Sequence, residues 1–347
     1  MGGFKIIKEK DKMTKNNNGE NLDGLYLCAH NFLSNHSYVL KLNLSNQEIE
    51  VIAERPPNKT HVGDYVYSFN SDGFLYLDRG KLFDVWSTPQ DSFIFNTIND
   101  SRGRKALSKS DGHITQVYAQ DNKLYYVWYN GNEENGLYHK IYDKDPTKKG
   151  IKPIATRNRA IHAICSHKNV LYDSSDETFC DDGRAGVYKT LDNKLIFEAN
   201  RMEENTFVEL ITYNGNLYGS RIDGIIFDIL NKKPVAKRKC WSRFIVLNDR
   251  LLDFSHNKFF DTLSDPAELQ PVLNVRGGKI IHFVNHGNTL YDVRQFGEEY
   301  NGGEYAIFST QDNRLLASLD EKLCGEIFSF TSISDNKINS QSLSRRD

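Results

Sequence analysis

The sequence predicts an all-β chain built from repeated units of four short antiparallel strands, and three observations support this prediction. Aromatic residues make up 12% of the 347 residues, with 18 Tyr and 20 Phe, and such side chains favour strands over helices. Short apolar runs alternate with Asn/Asp/Gly turns, as in the stretch GNLYGSRIDGIIFDI from Gly215 to Ile229. No window sustains the i, i+3, i+4, i+7 apolar spacing of an amphipathic helix over several turns.

The stretch from Gly215 and the residues before it define the repeated unit. Residues 207–213 are apolar and β-branched and predict a first strand, which the turn pair Asn214-Gly215 ends. Leu217-Tyr218 begin a second strand. Asp223-Gly224 is a strong two-residue hairpin signal, and residues 225–229 predict a third strand after it. A fourth short apolar run usually follows such a unit along the chain.

Seven segments align on a leucine that is usually followed by tyrosine. These anchor leucines are Leu25, Leu75, Leu124, Leu171, Leu217, Leu251 and Leu290. Four antiparallel strands that repeat about every 40–50 residues are typical of a β-propeller blade. Seven anchors therefore predict a seven-bladed β-propeller.

The C-terminal segment EIFSFTSISDNKI, which begins at Glu326, has the pattern of the first-strand segment that begins at Lys279. We expect this C-terminal strand to pair into the first blade and close the ring, which would protect otherwise unpaired edge strands. The prediction is a single propeller domain over residues 21–338, between a flexible basic tail at 1–20 and a flexible tail at 339–347. A β-sandwich followed by a second β domain would explain the strands but not the repeated anchor.

The second and third strands of the repeated unit resemble a WD40 repeat. The family's Ser-x-Asp-Gly turn and Trp-Asp strand end have counterparts in Ser220, Asp223-Gly224 and Phe227-Asp228. Gly112-His113 resembles the Gly-His pair that opens a WD40 unit. The resemblance implies a propeller that assembles partners on its surface, and it implies no catalytic residue.

Composition narrows the classes of function. The formal net charge of −2 does not mark a nucleic-acid binder. The five cysteines are odd in number and form no Cys-x-x-Cys pair, which fits reduced thiols in the cytoplasm. No apolar run approaches the roughly 18 residues of a membrane helix, and the N-terminus lacks the apolar core of a signal peptide. No phosphate loop, dinucleotide fingerprint or nucleophile elbow is present, so no cofactor is predicted.

Histidine clusters raise the question of a metal site. His162, Cys165 and His167 are close in sequence, but alternation along a strand places His162 on the opposite face from the other two. His282 and His286 share a face but would lie roughly 13 Å apart. The acidic stretch DSSDETFCDDG lacks the spacing of an EF-hand loop. No metal site is predicted.

The favoured function is a protein-interaction scaffold. In a propeller, the loops that lead into the first strands and the loops between second and third strands share one face, and exposed loops on a rigid framework often carry function. Arginine with tryptophan is the composition of interface hot spots, and arginine can bind carboxylates in bidentate geometry. The residues expected to anchor an acidic or carboxylate-bearing partner are Arg157, Arg159, Arg238, Trp241 and Arg276.

Two other functions stay open on the sequence. A hydrolase or lyase at the mouth of the central channel, with or without a metal, would use His61, His113 and Glu204. A carbohydrate-binding propeller would use aromatics such as Trp128, Tyr129 and Tyr300. An enzyme is the less favoured interpretation because no local motif supports it. The missing motif does not exclude one, since propeller enzymes gather their residues one per blade and local spacing cannot show such a site.

Overall fold

The structure is a computed structural model, and every regular element among its described residues is a β-strand. The described residues are 22–31, 34, 36–55, 61–62, 65–66, 72–78, 81–87, 91–102, 106–110, 112–120, 123–130, 138–146, 148, 150–157, 160–175, 186–199, 206–268, 270–297, 304–319, 324–334 and 337–341. Within these ranges, no helix has the length and apolar character needed to cross a membrane.

The strands form seven antiparallel sheets, here called blades 1–7, and a short ribbon. Blade 1 contains β1 (Gly24–Asn31), β2 (His36–Asn43), β3 (Glu48–Arg55), β30 (Glu326–Ser334) and β31 (Lys337–Gln341). The ribbon pairs β4 (His61–Val62) with β5 (Tyr65–Val66). Blade 2 contains β6 (Asp72–Asp78), β7 (Lys81–Ser87), β8 (Ser92–Asn96) and β9 (Ser108–Ser110). Blade 7 contains β26 (Lys279–His286), β27 (Thr289–Phe296), β28 (Glu304–Ser309) and β29 (Arg314–Leu319).

The other four blades are formed by the middle of the chain. Blade 3 contains β10 (His113–Gln120), β11 (Lys123–Asn130), β12 (Tyr138–Tyr142) and β13 (Ala155–Arg157). Blade 4 contains β14 (Ile161–His167), β15 (Val170–Ser175), β16 (Gly186–Lys189) and β17 (Lys194–Glu198). Blade 5 contains β18 (Phe207–Tyr213), β19 (Asn216–Arg221), β20 (Ile225–Asp228) and β21 (Lys233–Lys237). Blade 6 contains β22 (Arg243–Leu247), β23 (Arg250–Ser255), β24 (Lys258–Asp261) and β25 (Leu273–Asn274).

This strand pattern confirms the predicted fold class, an all-β seven-bladed β-propeller. The chain divides into two compact units, one with blades 1, 2 and 7 and one with blades 3–6. The predicted closure of blade 1 is also confirmed, because the C-terminal β30 pairs antiparallel with β1. Strand β31 adds a fifth strand and reaches Gln341, so regular structure continues past residue 338. The single-domain boundaries remain a prediction.

The anchor leucines lie on the second strand of their blades, with one exception. Six of the seven anchors occupy β1, β11, β15, β19, β23 and β27. The anchor at Leu75 was assigned wrongly, because Leu75 lies in β6, the first strand of blade 2. Leu82-Phe83 on β7 hold the anchor position there. The error arose because first strands are also apolar and aromatic. In blade 2 the first strand, β6, therefore contains a Leu-Tyr pair of its own, Leu75-Tyr76.

Buried apolar side chains form a separate cluster for each group of neighbouring strands. In the first unit, one cluster joins residues of β1 and β2 to residues of β27–β30. In the second unit, a cluster joins blades 4 and 5 through Phe197, Phe207 and Leu217. Another joins blades 5 and 6 through Ile226 and Phe244. Each fully buried large side chain contributes about 1.5–3 kcal/mol to folding, so the blades are rigid supports for their loops.

The first strands carry a repeated irregularity near their beginning. The pairing register shifts between Ile114 and Gln116 in β10, and equivalent shifts occur in β14, β18 and β26. Such a bulge redirects the side chain that follows it. The Gln116 amide donates to the His162 carbonyl of the neighbouring first strand at 2.8 Å. His282 Nε2 lies 3.0 Å from the Ile327 carbonyl in the same way.

Candidate functional site

Two of the arginines expected to contact a partner are internal. Arg157 and Arg238 are 4% and 1% exposed. Both guanidinium groups make bidentate ion pairs with carboxylates of the next blade, to Asp173 and Asp253 respectively. The prediction that these two arginines present their charges on exposed loops is therefore wrong. Their burial follows from the carboxylate, which satisfies a charge that would otherwise be costly to desolvate.

The Arg157 pair shows the geometry. The Nε and Nη2 groups donate to the two Asp173 oxygens at 2.7 and 2.8 Å, and Thr190 Oγ1 donates to the same carboxylate at 2.7 Å. Nη1 donates to the Asn193 side-chain oxygen at 2.5 Å. The guanidinium carbon lies 4.4 Å from the centre of the Tyr188 ring. Burial raises the pKa of the Asp173 carboxyl, and the Arg157 charge opposes this by favouring the ionised form.

The same cluster occurs in four blades. Each has an aspartate on the second strand, a threonine directly after the third strand, an aromatic residue two positions before that threonine, and an arginine above the aromatic ring. The clusters are Asp84, Thr97, Phe95 and Arg55; Asp173, Thr190, Tyr188 and Arg157; Asp253, Thr262, Phe260 and Arg238; and Asp292, Thr310, Phe308 and Arg294. In three clusters the arginine comes from the preceding blade, at the end of its outermost strand (Arg55 and Arg157) or directly after it (Arg238), so the ion pair links two blades.

Blade 7 departs from this pattern, and its cluster shows where the predicted residue Arg276 lies. Its arginine, Arg294, comes from the same strand as Asp292. Arg276, which follows the fourth strand of blade 6, contributes only its backbone carbonyl, at 2.7 Å from Arg294 Nη1. The Arg276 side chain is exposed. It stays available for a contact, as the sequence predicts.

The linking arginine also fixes the loop that follows it. Arg238 immediately precedes the short connection into blade 6, and its backbone N–H donates to the Gly224 carbonyl at 2.8 Å. At the other end, the buried Ser242 donates its backbone N–H to Ser220 Oγ at 2.9 Å. The three residues between these fixed points are Lys239, Cys240 and Trp241. This connection is therefore anchored at both ends by backbone hydrogen bonds of buried residues.

Trp241 lies on that connection and is 38% exposed. The Arg243 guanidinium carbon is 5.3 Å from the centre of its ring. Cys240 Sγ lies 3.6 Å from Nδ1 of the exposed His256, which belongs to the loop between the second and third strands of blade 6. We call Cys240, Trp241, Arg243 and His256 the blade 6 loop surface. The contact confirms, for this blade, that these two loops share one face.

A partly buried acid, Glu209 of β18, interacts with Arg243 of this surface. Burial raises the pKa of the Glu209 carboxyl to about 7, although the Arg243 charge and the Phe244 N–H favour its ionised form. Burial also lowers the pKa of Arg243 to about 10, and the Glu209 charge opposes that change. Arg243 thus interacts both with the Glu209 charge and with the Trp241 ring. Sequence inspection missed Glu209, because its environment depends on the bulge in β18 and on the neighbouring β22.

A basic cleft adjoins the same connection. It has a volume of about 490 Å3 and lies between the end of β21, the start of β24 and the segment that precedes β25. Its charged lining residues are Lys237, Arg238, Lys239, Lys258 and Glu268. The Glu268 carboxylate accepts the backbone N–H of Lys239 at 3.1 Å.

The residues of the alternative functions do not form a common site in the described parts of the chain. His113 is partly buried, with its ring centre 5.8 Å from that of Tyr129. Trp128 packs edge-on against Tyr142 and lies under the Lys140 ammonium at 5.0 Å. The residues that lie outside the description, wholly or in their side chains, are His61, Arg159, Glu204 and Tyr300.

A metal site needs several ligand side chains that lie close together. No group of three His, Cys, Asp or Glu side chains suited to an ion occurs among the residues whose positions are described. His282 bonds the Ile327 carbonyl, and His286 Nε2 lies 3.7 Å from Asp23. The two histidines therefore face different partners.

The four-residue clusters were missed in the sequence, yet they leave a signal. The anchor leucine is followed two positions later by aspartate in Leu82-Phe83-Asp84 and in the equivalent segments of blades 4, 6 and 7. The third strand then ends in aromatic-x-Thr. In blade 5 the aspartate position is Gly219 and the threonine position is Ile229, so apolar packing replaces the ion pair.

Comparison with known proteins identifies no family for this chain. No protein-family model matches the chain, and no curated protein matches it. The WD40 β-propeller domain of Doa1 aligns at 11% identity and a TM-score of 0.48, over 85% of this chain and 89% of that one. BamB from Moraxella catarrhalis aligns at 10% identity and a TM-score of 0.46, over 90% and 94% of the two chains. The computationally designed protein Ika8 aligns at 12% identity and a TM-score of 0.44, over 79% and 96%.

Proposed function

We propose that this chain is a protein-interaction module that binds its partner through the blade 6 loop surface. The observation that carries the proposal is Trp241, an exposed aromatic on a connection fixed at both ends by buried residues. Tryptophan and arginine are the residues most enriched among interface hot spots, and a rigid loop loses little conformational entropy on binding.

Exposed apolar side chains are concentrated in the two blades that flank this connection. Eight large apolar residues are exposed among those whose burial is described, and five of them lie between residues 222 and 272 of blades 5 and 6. These five are Ile222, Leu230, Trp241, Leu263 and Val272. Trp241 is the one aromatic residue of the eight. A partner contact here would bury apolar area that the free chain leaves in water.

Arg157 and Arg238 support this role indirectly. They hold the connections between blades in place and do not touch the partner. The cytoplasmic location expected from the sequence stays a prediction.

The test is affinity capture from a lysate of the native host, with the intact chain as bait beside a Trp241→Ala variant. Leu191→Ala is the matched control, because Leu191 is also exposed but lies in blade 4. We expect a stoichiometric partner that the wild type and the Leu191 variant retain and the Trp241 variant loses. Titration of the purified partner should then show about 30-fold weaker binding for Trp241→Ala, the effect of a 2 kcal/mol hot spot. Equal capture and equal affinity in all three baits would contradict the proposal.

A further inference from the structure

The cleft beside the blade 6 loop surface has an uneven charge. Four cationic side chains line it against a single carboxylate, Glu268. The Arg238 charge is matched from within by Asp253, through hydrogen bonds of 2.6 and 2.7 Å. Lys237, Lys239 and Lys258 remain, and all three are exposed. The positive charge of the cleft therefore comes from three lysines.

Among the described residues, no ion pair is formed by the Lys239 or Lys258 ammonium, whereas Lys237 also interacts with the Asp223 charge. The Lys237 ammonium donates to the backbone carbonyl of Asp223 at 2.7 Å, whereas the Asp223 carboxylate is paired with Arg221. Asp265, near the same segment, accepts the backbone N–H of Gln270 at 2.8 Å. The cleft thus keeps a net positive potential that attracts an anionic group.

Glu268 brings a carboxylate of the chain itself to the cleft. This carboxylate accepts the Lys239 backbone N–H at 3.1 Å, and Glu268 belongs to the cleft lining. The Glu268 backbone has φ 59°, a conformation that costs a residue other than glycine some free energy. An external carboxylate could replace Glu268 at the same N–H while keeping the three ammonium groups as neighbours.

We propose that this cleft binds a glutamate or aspartate side chain of an acidic segment in the protein partner, and that Glu268 is an internal carboxylate which the partner displaces. The proposal rests on the proposed function, since it names the chemistry of the same partner. Trp241 supplies the apolar contact. The cleft, whose lining includes Lys239 two residues before Trp241, selects for negative charge. Phe260 and Arg238 both line the cleft, with the Arg238 guanidinium carbon 5.1 Å from the centre of the Phe260 ring.

The experiment titrates the full-length chain with a hexaglutamate peptide capped at both ends, and with hexaglutamine as the neutral probe. We expect the acidic peptide to bind and the neutral one not to bind. Lys239→Ala with Lys258→Ala should weaken binding about tenfold, and Glu268→Gln should strengthen it about fivefold, because a competing carboxylate is removed. Affinity should fall as salt rises from about 0.05 M to about 0.5 M.

The control variant is Lys194→Ala with Lys233→Ala, which removes the same charge from exposed positions outside the cleft. It should bind the peptide as the wild type does. Equal losses in the two double-lysine variants would overturn the proposal, since the effect would then come from net charge. Weaker binding by Glu268→Gln would also overturn it, because Glu268 would then belong to the site as a ligand-binding group.

Two further results separate this inference from the proposed function. Displacement of the peptide by inorganic phosphate at equal concentration would overturn the acidic-segment proposal and indicate a small-anion site. If Trp241→Ala abolishes capture of the partner but the cleft variants bind the peptide as the wild type does, the proposed interaction function is supported and the cleft inference fails. If Trp241→Ala leaves capture unchanged, the proposed function itself fails.

Discussion

Replacement of Asp173 with asparagine tests whether the four-residue clusters stabilise the fold. The substitution keeps the shape of the side chain but leaves the Arg157 charge without its counter-charge at a place where Arg157 and Asp173 side chains are 4% and 0% exposed. We expect a large loss of stability, because an uncompensated buried charge is costly.

The magnitude follows from the contacts. Asp173 accepts two hydrogen bonds from Arg157 and one from Thr190, all at 2.7–2.8 Å. Two hydrogen bonds to charged groups are worth about 3–6 kcal/mol together, and breaking a buried pair typically costs about 3–5 kcal/mol. Asparagine retains one acceptor oxygen, so we expect a decrease of about 3 kcal/mol in the free energy of unfolding. Urea denaturation followed by circular dichroism measures it.

The control is an exposed ion pair of the same chemistry. Arg314 and Asp312 are 61% and 56% exposed and 3.5 Å apart. Asp312→Asn should cost less than about 0.5 kcal/mol, since water screens such pairs. If Asp173→Asn costs no more than Asp312→Asn, the clusters are not structural. Arg157 would then be free to serve the binding role first expected from the sequence.

Other predictions concern pH and the loops. Because burial raises the pKa of Glu209 from 4.5 to about 7, the native state holds its proton longer than the unfolded chain does. The free energy of unfolding of the wild type should therefore fall relative to that of Glu209→Gln as pH rises from 4.5 to about 7. Urea denaturation of both proteins at several pH values measures this change. A constant difference between them across this pH range would refute the prediction. Gly224 has φ +82°, and an added Cβ would lie 2.3 Å from the Arg238 carbonyl oxygen. Gly224→Ala should destabilise the chain by about 2–4 kcal/mol. Gly215 has φ +73°, and an added Cβ would meet no atom within 4 Å, so Gly215→Ala should cost only about 1 kcal/mol. Thermal denaturation measures both losses, and equal melting temperatures for the Gly224 and Gly215 variants would contradict this reasoning.

The proposed binding surface was only partly predictable from the sequence. Trp241 could be identified, because it follows a strand end and the residue type is typical of interfaces. Arg238, three positions earlier, has the same local appearance, yet its side chain is buried. The difference is Asp253, which lies 15 residues further along the chain on another blade. A local pattern cannot show whether a charged side chain has such a partner.

Most strands and turns, the number of blades and the pairing of the C-terminal strand with the first blade could be predicted from the sequence. These depend on short-range signals, namely alternating apolar residues and Asn/Asp/Gly turns, which repeat with every blade. The structure was needed to show which arginines are internal, that Glu209 is a partly buried acid with a raised pKa, and that Lys239, Lys258 and Glu268 line one cleft. Those properties arise where strands distant in sequence pack together, and burial and charge pairing at such contacts decide whether a polar side chain supports the fold or faces a partner.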